Sequence, residues 1–98
     1  MAQRSYVGTE LKFAVTISSA GFSMDTDPWT VTVTNGQKSV VCEKVEDDLN
    51  HQHYILLDTA VLGKGTYNVT IEIDVPDEDF EDDYRHEVWK KEGFLTVR

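Results

Sequence analysis

Thr66-Tyr67-Asn68-Val69-Thr70-Ile71-Glu72-Ile73-Asp74-Val75 is the longest strictly alternating stretch of the chain. Tyr67, Val69, Ile71, Ile73 and Val75 fall on one side, and Thr66, Asn68, Thr70, Glu72 and Asp74 on the other. Successive side chains of a β-strand point to opposite faces, so this pattern reads as a half-buried strand. Two further stretches repeat it. In Glu10 to Ser18, Leu11, Phe13, Val15 and Ile17 oppose Lys12, Ala14, Thr16 and Ser18. In Trp29 to Thr34, Trp29, Val31 and Val33 oppose three threonines. The β-branched content agrees, and no segment carries a helical stripe. One wet face and one dry face imply antiparallel pairing. The chain reads as all-β.

Asn35-Gly36, flanked by alternating residues, is the strongest short hairpin signal present, because a type I′ turn needs positive φ at both central positions. That turn predicts Thr34 opposite Gln37, Val31 opposite Val40 and Trp29 opposite Cys42. Val40 and Cys42 then share the buried face, and the lone cysteine acts as a small apolar filler. Gln52 to Asp58 adds a strand around Ile55, Leu56 and Leu57. Arg85 to Arg98 adds a long one that Gly93 interrupts, which predicts a bulge. Ser5 to Val7 adds a short edge strand ended by Gly8. No internal repeat or linker divides the 98 residues, which at this length bury roughly 65% of their unfolded surface. The expectation is one domain over 1–98, an antiparallel sandwich of about seven strands.

Leu62-Gly63-Lys64-Gly65-Thr66-Tyr67, just before the longest strand, resembles the tyrosine corner of immunoglobulin and fibronectin type III folds. The resemblance implies that the Tyr67 hydroxyl returns to backbone within Asp58 to Lys64. It also implies the strand order A near 5–7, B 10–18, C 29–34, C′ 38–45, E 52–58, F 66–75 and G 85–98, with Trp29 opening strand C. A disulfide between B and F is impossible, so an antibody-type domain is excluded. Val7-Gly8-x-x-Leu11-x-Phe13, the central Asn-Gly and the closing Leu-Gly-x-Gly-x-Tyr are together similar to small immunoglobulin-like modules of phage tail and baseplate operons. The likeness is to the N-terminal domain of a baseplate upper protein in phages and prophages of gut Bacteroidetes. It implies a module that attaches or decorates virion parts and catalyses nothing.

Acids outnumber bases 18 to 9, for a net charge of −9 and a pI near 4.5. Nucleic acid and anionic lipid both need clustered Lys and Arg, so neither is an expected partner. The opening Met-Ala-Gln-Arg-Ser-Tyr has no apolar core of a secretory signal, and no apolar run approaches the ~20 residues that span a bilayer. One cysteine permits no internal disulfide. Synthesis in a cytoplasm is the expected location, with the virion as a destination.

In the sandwich order above, the B–C, C′–E and F–G loops leave the same end. They carry Asp25 and Asp27; Glu46, Asp47 and Asp48; and Asp74, Asp77, Glu78, Asp79, Glu81, Asp82 and Asp83, twelve of the eighteen acids. The opposite end carries Lys38, Lys64 and Arg98. The acidic end reads in three ways: a solvated face that keeps a small protein soluble, a docking face for a basic partner, or a Ca²⁺ site. The run lacks the spacing of an EF-hand, with Phe80 and no glycine inside it. His51, His53 and His86 could be drawn into a Zn²⁺ site, although exposed histidines are commonly just polar surface. Asn68-Val69-Thr70 matches a glycosylation sequon that an unexported chain does not use. Carboxylates spread over loop tips offer no cleft for acid–base chemistry. No nucleophile elbow, phosphate loop or Cys–His pair occurs.

The expected function is therefore non-catalytic and needs no cofactor or metal. The partner is another virion protein or a further copy of the chain, held at Asp77, Asp79, Phe80, Asp82, Asp83 and Tyr84. Phe80 is the apolar anchor. Trp29, Asn35, Gly36, Gly63, Gly65 and Tyr67 are expected to be structural. The alternative is a small carbohydrate- or surface-binding module whose stacking faces come from Phe22, Trp29, Tyr54 and Tyr84. That alternative needs Trp29 exposed, whereas its phase in the strand predicts burial.

Overall fold

The computed structural model describes residues 3–98; Met1 and Ala2, where the reading for a leader begins, lie outside the described residues. Among the described residues eight strands form two sheets: β1 Gln3–Ser5, β2 Glu10–Val15, β3 Trp29–Thr34, β4 Ser39–Val41, β5 Glu43–Asp47, β6 Gln52–Asp58, β7 Gly65–Pro76 and β8 Tyr84–Val97. One four-residue helical turn, α1 Thr59–Leu62, joins β6 to β7. The larger sheet runs β1-β8-β7-β3-β4 and the smaller β2-β6-β5. All pairs are antiparallel except β1 with β8. The molecule is an all-β sandwich.

The alternating residues fill the space between the sheets. Trp29, Val31 and Val33 from β3, Tyr67, Ile73 and Val75 from β7, Ile55 and Leu57 from β6, and Leu95 and Val97 from β8 are all buried. Leu11, Phe13 and Val15 lean on them from β2, and Ile17 completes the row after the strand has ended. Expected strand B thus stops three residues early, with Ile17 N–H near Met24 Sδ at 3.3 Å rather than in a ladder.

The stretch expected as one C′ strand is two. β4 pairs with β3 in the larger sheet and β5 with β6 in the smaller, so the chain crosses between sheets at Cys42. Cys42 N–H still donates to Val31 O at 2.8 Å while its side chain turns into the core, 5% exposed. Burial pushes the thiol above its ordinary range, as a packing residue requires. After the crossing, Lys44 points inward on edge strand β5. Its ammonium lies 4.5 Å from the Trp29 ring and donates to Trp29 O at 2.7 Å. A charge directed inward at an edge also discourages further strands from adding there.

The β3–β4 register corrects the sequence expectation by two residues. Thr34 opposes Ser39, Val33 opposes Val40 and Thr32 opposes Val41. The tight turn is Gly36-Gln37: Gly36 has φ +93° and Asn35 is not in the positive-φ region. Positive φ at the first central position alone is the type II′ pattern, not I′. Asn35 is held instead by its side chain. Its amide oxygen accepts from Gln37 N–H at 3.0 Å and Lys38 N–H at 2.8 Å, and its Nδ2 donates to Leu62 O at 2.6 Å. A two-residue shift preserves parity, so Val40 still packs on the core and Cys42 is still buried.

Tyr67 is fully buried, and its hydroxyl reaches Gly63 O and, at 3.3 Å, Thr59 O, inside the expected Asp58–Lys64 window. Burial, with Asp58 nearby, raises the phenol above its ordinary range and keeps it a donor. Thr59 beside it is also fully buried. Its hydroxyl lies 2.8 Å from Thr9 O and 3.2 Å from Tyr6 O, and accepts from Gly8 N–H at 2.9 Å. Asp58 caps the turn through Ala60 N–H, and Gly63 ends it at φ +80°. Gly93, at φ +65°, sits in a bulge where its N–H donates to Asn68 Oδ1 at 2.8 Å. The predicted bulge is therefore present.

Candidate functional site

The acidic end is built on the β7–β8 hairpin. β3 begins opposite Ile73, so the last residues of β7 and the first of β8 run on past the sheet and carry the loop 77–83 outward. The Cα radius of gyration, 14.7 Å, exceeds the ~12.6 Å expected of a compact chain this long, as an overhanging hairpin requires. Segment 16–28 crosses beneath it. Pro28 O accepts from Asp74 N–H at 3.0 Å, Gly21 lies against Val75, and Ser19 reaches Glu87 at 3.3 Å. The β5–β6 turn at 48–51 lies at this end too, since His53 of β6 meets Asp25 of segment 16–28. The three acidic loops thus share one end.

Internal hydrogen bonds shape loop 77–83. Asp77 N–H donates to Asp83 O at 2.9 Å, Phe80 N–H to Asp77 O at 3.3 Å, Asp83 N–H to Phe80 O at 2.9 Å, and Asp79 N–H to Asp77 Oδ1 at 3.1 Å. Asp83 takes φ +64°, a conformation that aspartate tolerates better than most residues. Arg85 braces the base: its guanidinium holds Asp77 at 2.6 Å and Glu87 at 3.0 Å, and these carboxylates raise its pKa further. The tip presents Phe80, 48% exposed, and Tyr84, 41% exposed, follows it. A shallow depression between Pro76, Asp77, Glu78, Asp79 and Asp83 flanks them.

Three basic side chains at this end are paired with carboxylates. His53 bonds Asp25 at 2.9 Å, His86 bonds Asp74 at 2.9 Å, and Arg85 holds Asp77 and Glu87. Hydrogen bonding to Asp74 raises the His86 pKa, with the Asp74 and Glu72 charges adding to it. Asp47 is lowered by hydrogen bonds from the Asn50 side chain and backbone. Glu78, Asp79, Glu81, Asp82 and Asp83 have no cationic partner among the described residues. The charge of the tip is therefore left unneutralised.

The three histidines drawn together as a zinc site are not gathered. His53 turns to Asp25, His86 to Asp74, and His51 sits exposed in the β5–β6 turn. Asp25, Glu46 and His53 do bring one ligand atom each within 4.8 Å of one another, but both carboxylates are exposed. Of the stacking candidates, Trp29 is 5% exposed, with its indole N–H on Met24 O at 3.1 Å. Phe22 leans on the core, and Lys12 covers the Tyr54 ring at 4.4 Å. Only Tyr84 stands free beside the acidic loops.

Two features escaped the sequence. An open cleft of about 420 Å³, walled by Leu11, Val40, Val41, Cys42, Leu57 and Val61, lies where the chain crosses from β4 to β5. It depends on that crossing, which a single C′ strand hides. The second is the outer edge of β8. β1 covers only Leu95 to Val97, and no described strand pairs the far side of Tyr84 to Glu92. The pair Lys90-Lys91 is a sequence sign of an open edge, because strands without a neighbour are often guarded by lysine.

Comparison with protein-family models, curated proteins and solved structures finds no match to this chain.

Proposed function

We propose that the chain is an immunoglobulin-like docking module, a non-catalytic accessory of a phage or prophage tail or baseplate, which binds a basic surface of another virion protein through its acidic end. The observation that carries this reading is Phe80. A half-exposed aromatic ring stands at the tip of an internally bonded loop that also carries five carboxylates without cationic partners among the described residues. A rigid apolar anchor inside a charged rim is the arrangement that gives an interface both affinity and steering. The immunoglobulin-like part is supported by the strand orders β2-β6-β5 and β1-β8-β7-β3-β4 and by the buried Tyr67 corner. The virion part rests on the sequence resemblance, with which an acidic sandwich holding one cysteine is compatible.

Association with the proteins encoded beside this one, measured at low and physiological salt, tests it. Neutralising Asp79, Asp82 and Asp83 together, with Asp77 left to hold Arg85, slows association and flattens its salt dependence, while Phe80→Ala speeds dissociation. Exposed ion pairs contribute only ~0–1 kcal/mol each, so the apolar anchor has the larger effect on residence time. If none of those proteins binds and a glycan array does, the carbohydrate-binding alternative replaces this reading.

A further inference from the structure

We infer that the open edge of β8 joins a second copy of this chain, antiparallel and centred on Trp89, so that the two larger sheets become one. This surface meets the acidic tip only at Tyr84, is centred further along β8, and does not rest on the proposed docking function. From Tyr84 to Glu92, β8 bonds β7 on one side only, and β1 begins to cover the other side at Leu95. A strand edge presents unmet N–H and C=O groups that another strand satisfies in register. At the middle of this edge Val88 is 43% and Trp89 39% exposed.

The sequence of the edge selects the occupant. Two identical strands related by a two-fold axis normal to the sheet pair residue for residue on the same face, so each register is centred on one residue. Centring on Glu87 sets Glu87 against itself, and centring on Lys90 sets Lys90 against itself. Centring on Val88 sets Arg85 against Lys91 and His86 against Lys90. Centring on Trp89 sets Glu87 against Lys91 of the second copy, His86 against Glu92, and Trp89 against Trp89, with each charge pair made twice. Of these four registers it is the one that sets no charge against itself or against a like charge, and directly opposed cross-strand pairs are the contacts that decide a register. Lysines placed purely as guards repel every added strand. Here Glu87 and Glu92 make the same lysine-bearing edge attractive to its own copy. Paired aromatics at the centre of a contact are also where binding energy concentrates.

Sedimentation of the full chain from about 1 µM to about 1 mM tests the inference. The expected result is a concentration-dependent dimer that high salt weakens. Lys91→Glu sets a like charge against Glu87 at both symmetry-related positions and weakens dimerisation by roughly tenfold or more; Glu87→Lys does the same against Lys91. The double variant Glu87→Lys/Lys91→Glu restores the unlike pairs and with them the dimer. Glu87 also holds Arg85, so Lys91→Glu, at an exposed position, carries the test if the other single variant is poorly folded. Phe80→Ala leaves the dimer unchanged, which separates this edge from the acidic tip. A wild-type monomer at every concentration overturns the inference. So does a dimer indifferent to Lys91→Glu, or a double variant that stays monomeric.

Discussion

The two ends of the sandwich are built from opposite chemistry. At one end Thr59, Tyr67 and Asn35 direct neutral donors at backbone carbonyls, and the first two side chains are completely buried. At the other end carboxylates meet His53, His86 and Arg85 at the surface, and a phenylalanine is left half in solvent. A buried hydrogen bond is costly to break because its partner is left without water, whereas an exposed ion pair is replaced by solvent at little cost. The first end therefore holds the fold. The second adds little stability and is available to a partner.

Substitutions at the neutral end break this contrast most sharply. Thr59→Val removes the hydroxyl that serves Thr9 O, Tyr6 O and Gly8 N–H, and it should cost roughly 2–3 kcal/mol in denaturant unfolding. A loss comparable to that of an exposed threonine would mean that water replaces these bonds. Tyr67→Phe keeps the packing and deletes one hydroxyl, for ~1–2 kcal/mol. Gly36→Val comes next, at about 1 kcal/mol or somewhat more. Open space surrounds Gly36, so only its φ of +93° opposes a side chain. An unchanged midpoint there would place the turn elsewhere.

The acidic end supplies the smallest effect and a pH signature. His86 titrates above its ordinary value because Asp74 accepts from it and the Asp74 and Glu72 charges favour the imidazolium. A raised folded-state pKa contributes stability that is fully present below the unfolded value and is lost as pH rises through the folded one. The melting temperature of wild type relative to Asp74→Asn should therefore be highest below the ordinary histidine range and fall away as pH rises through the raised His86 value. His86 in Asp74→Asn should titrate nearer the ordinary range, followed by NMR. A gap that widens toward alkaline pH would reverse the assigned sign.

Much of this molecule is legible along the chain, and the part that is not has a common cause. The two faces of β3 and β7, the bulge at Gly93, the Tyr67 hydroxyl and the shared end of the acidic loops all follow from local pattern and chain order. The strand pairing of 39–47 does not. Nothing local distinguishes one strand over 38–45 from two that lie in different sheets, because Ser39 to Asp47 can pair with either neighbour. The pattern puts Trp29 and Cys42 on the core face correctly and opposite one another wrongly. The free edge of β8 is hidden for the same reason, since the length of β1 pairing is a property of the assembled sheet.

Periodicity alone decides which face each residue shows, because side chains repeat every two residues and a two-residue slip leaves every face unchanged. That is why Val40 and Cys42 remain toward the core although their partners moved. The register itself needed the third dimension. Asn35 could have entered the left-handed region beside Gly36, but its amide instead spans from the hairpin to Leu62 O across 27 residues of chain. That contact exists only once α1 has been set beside the β3–β4 turn. The sequence determined the faces, and the packed corner decided which residues meet.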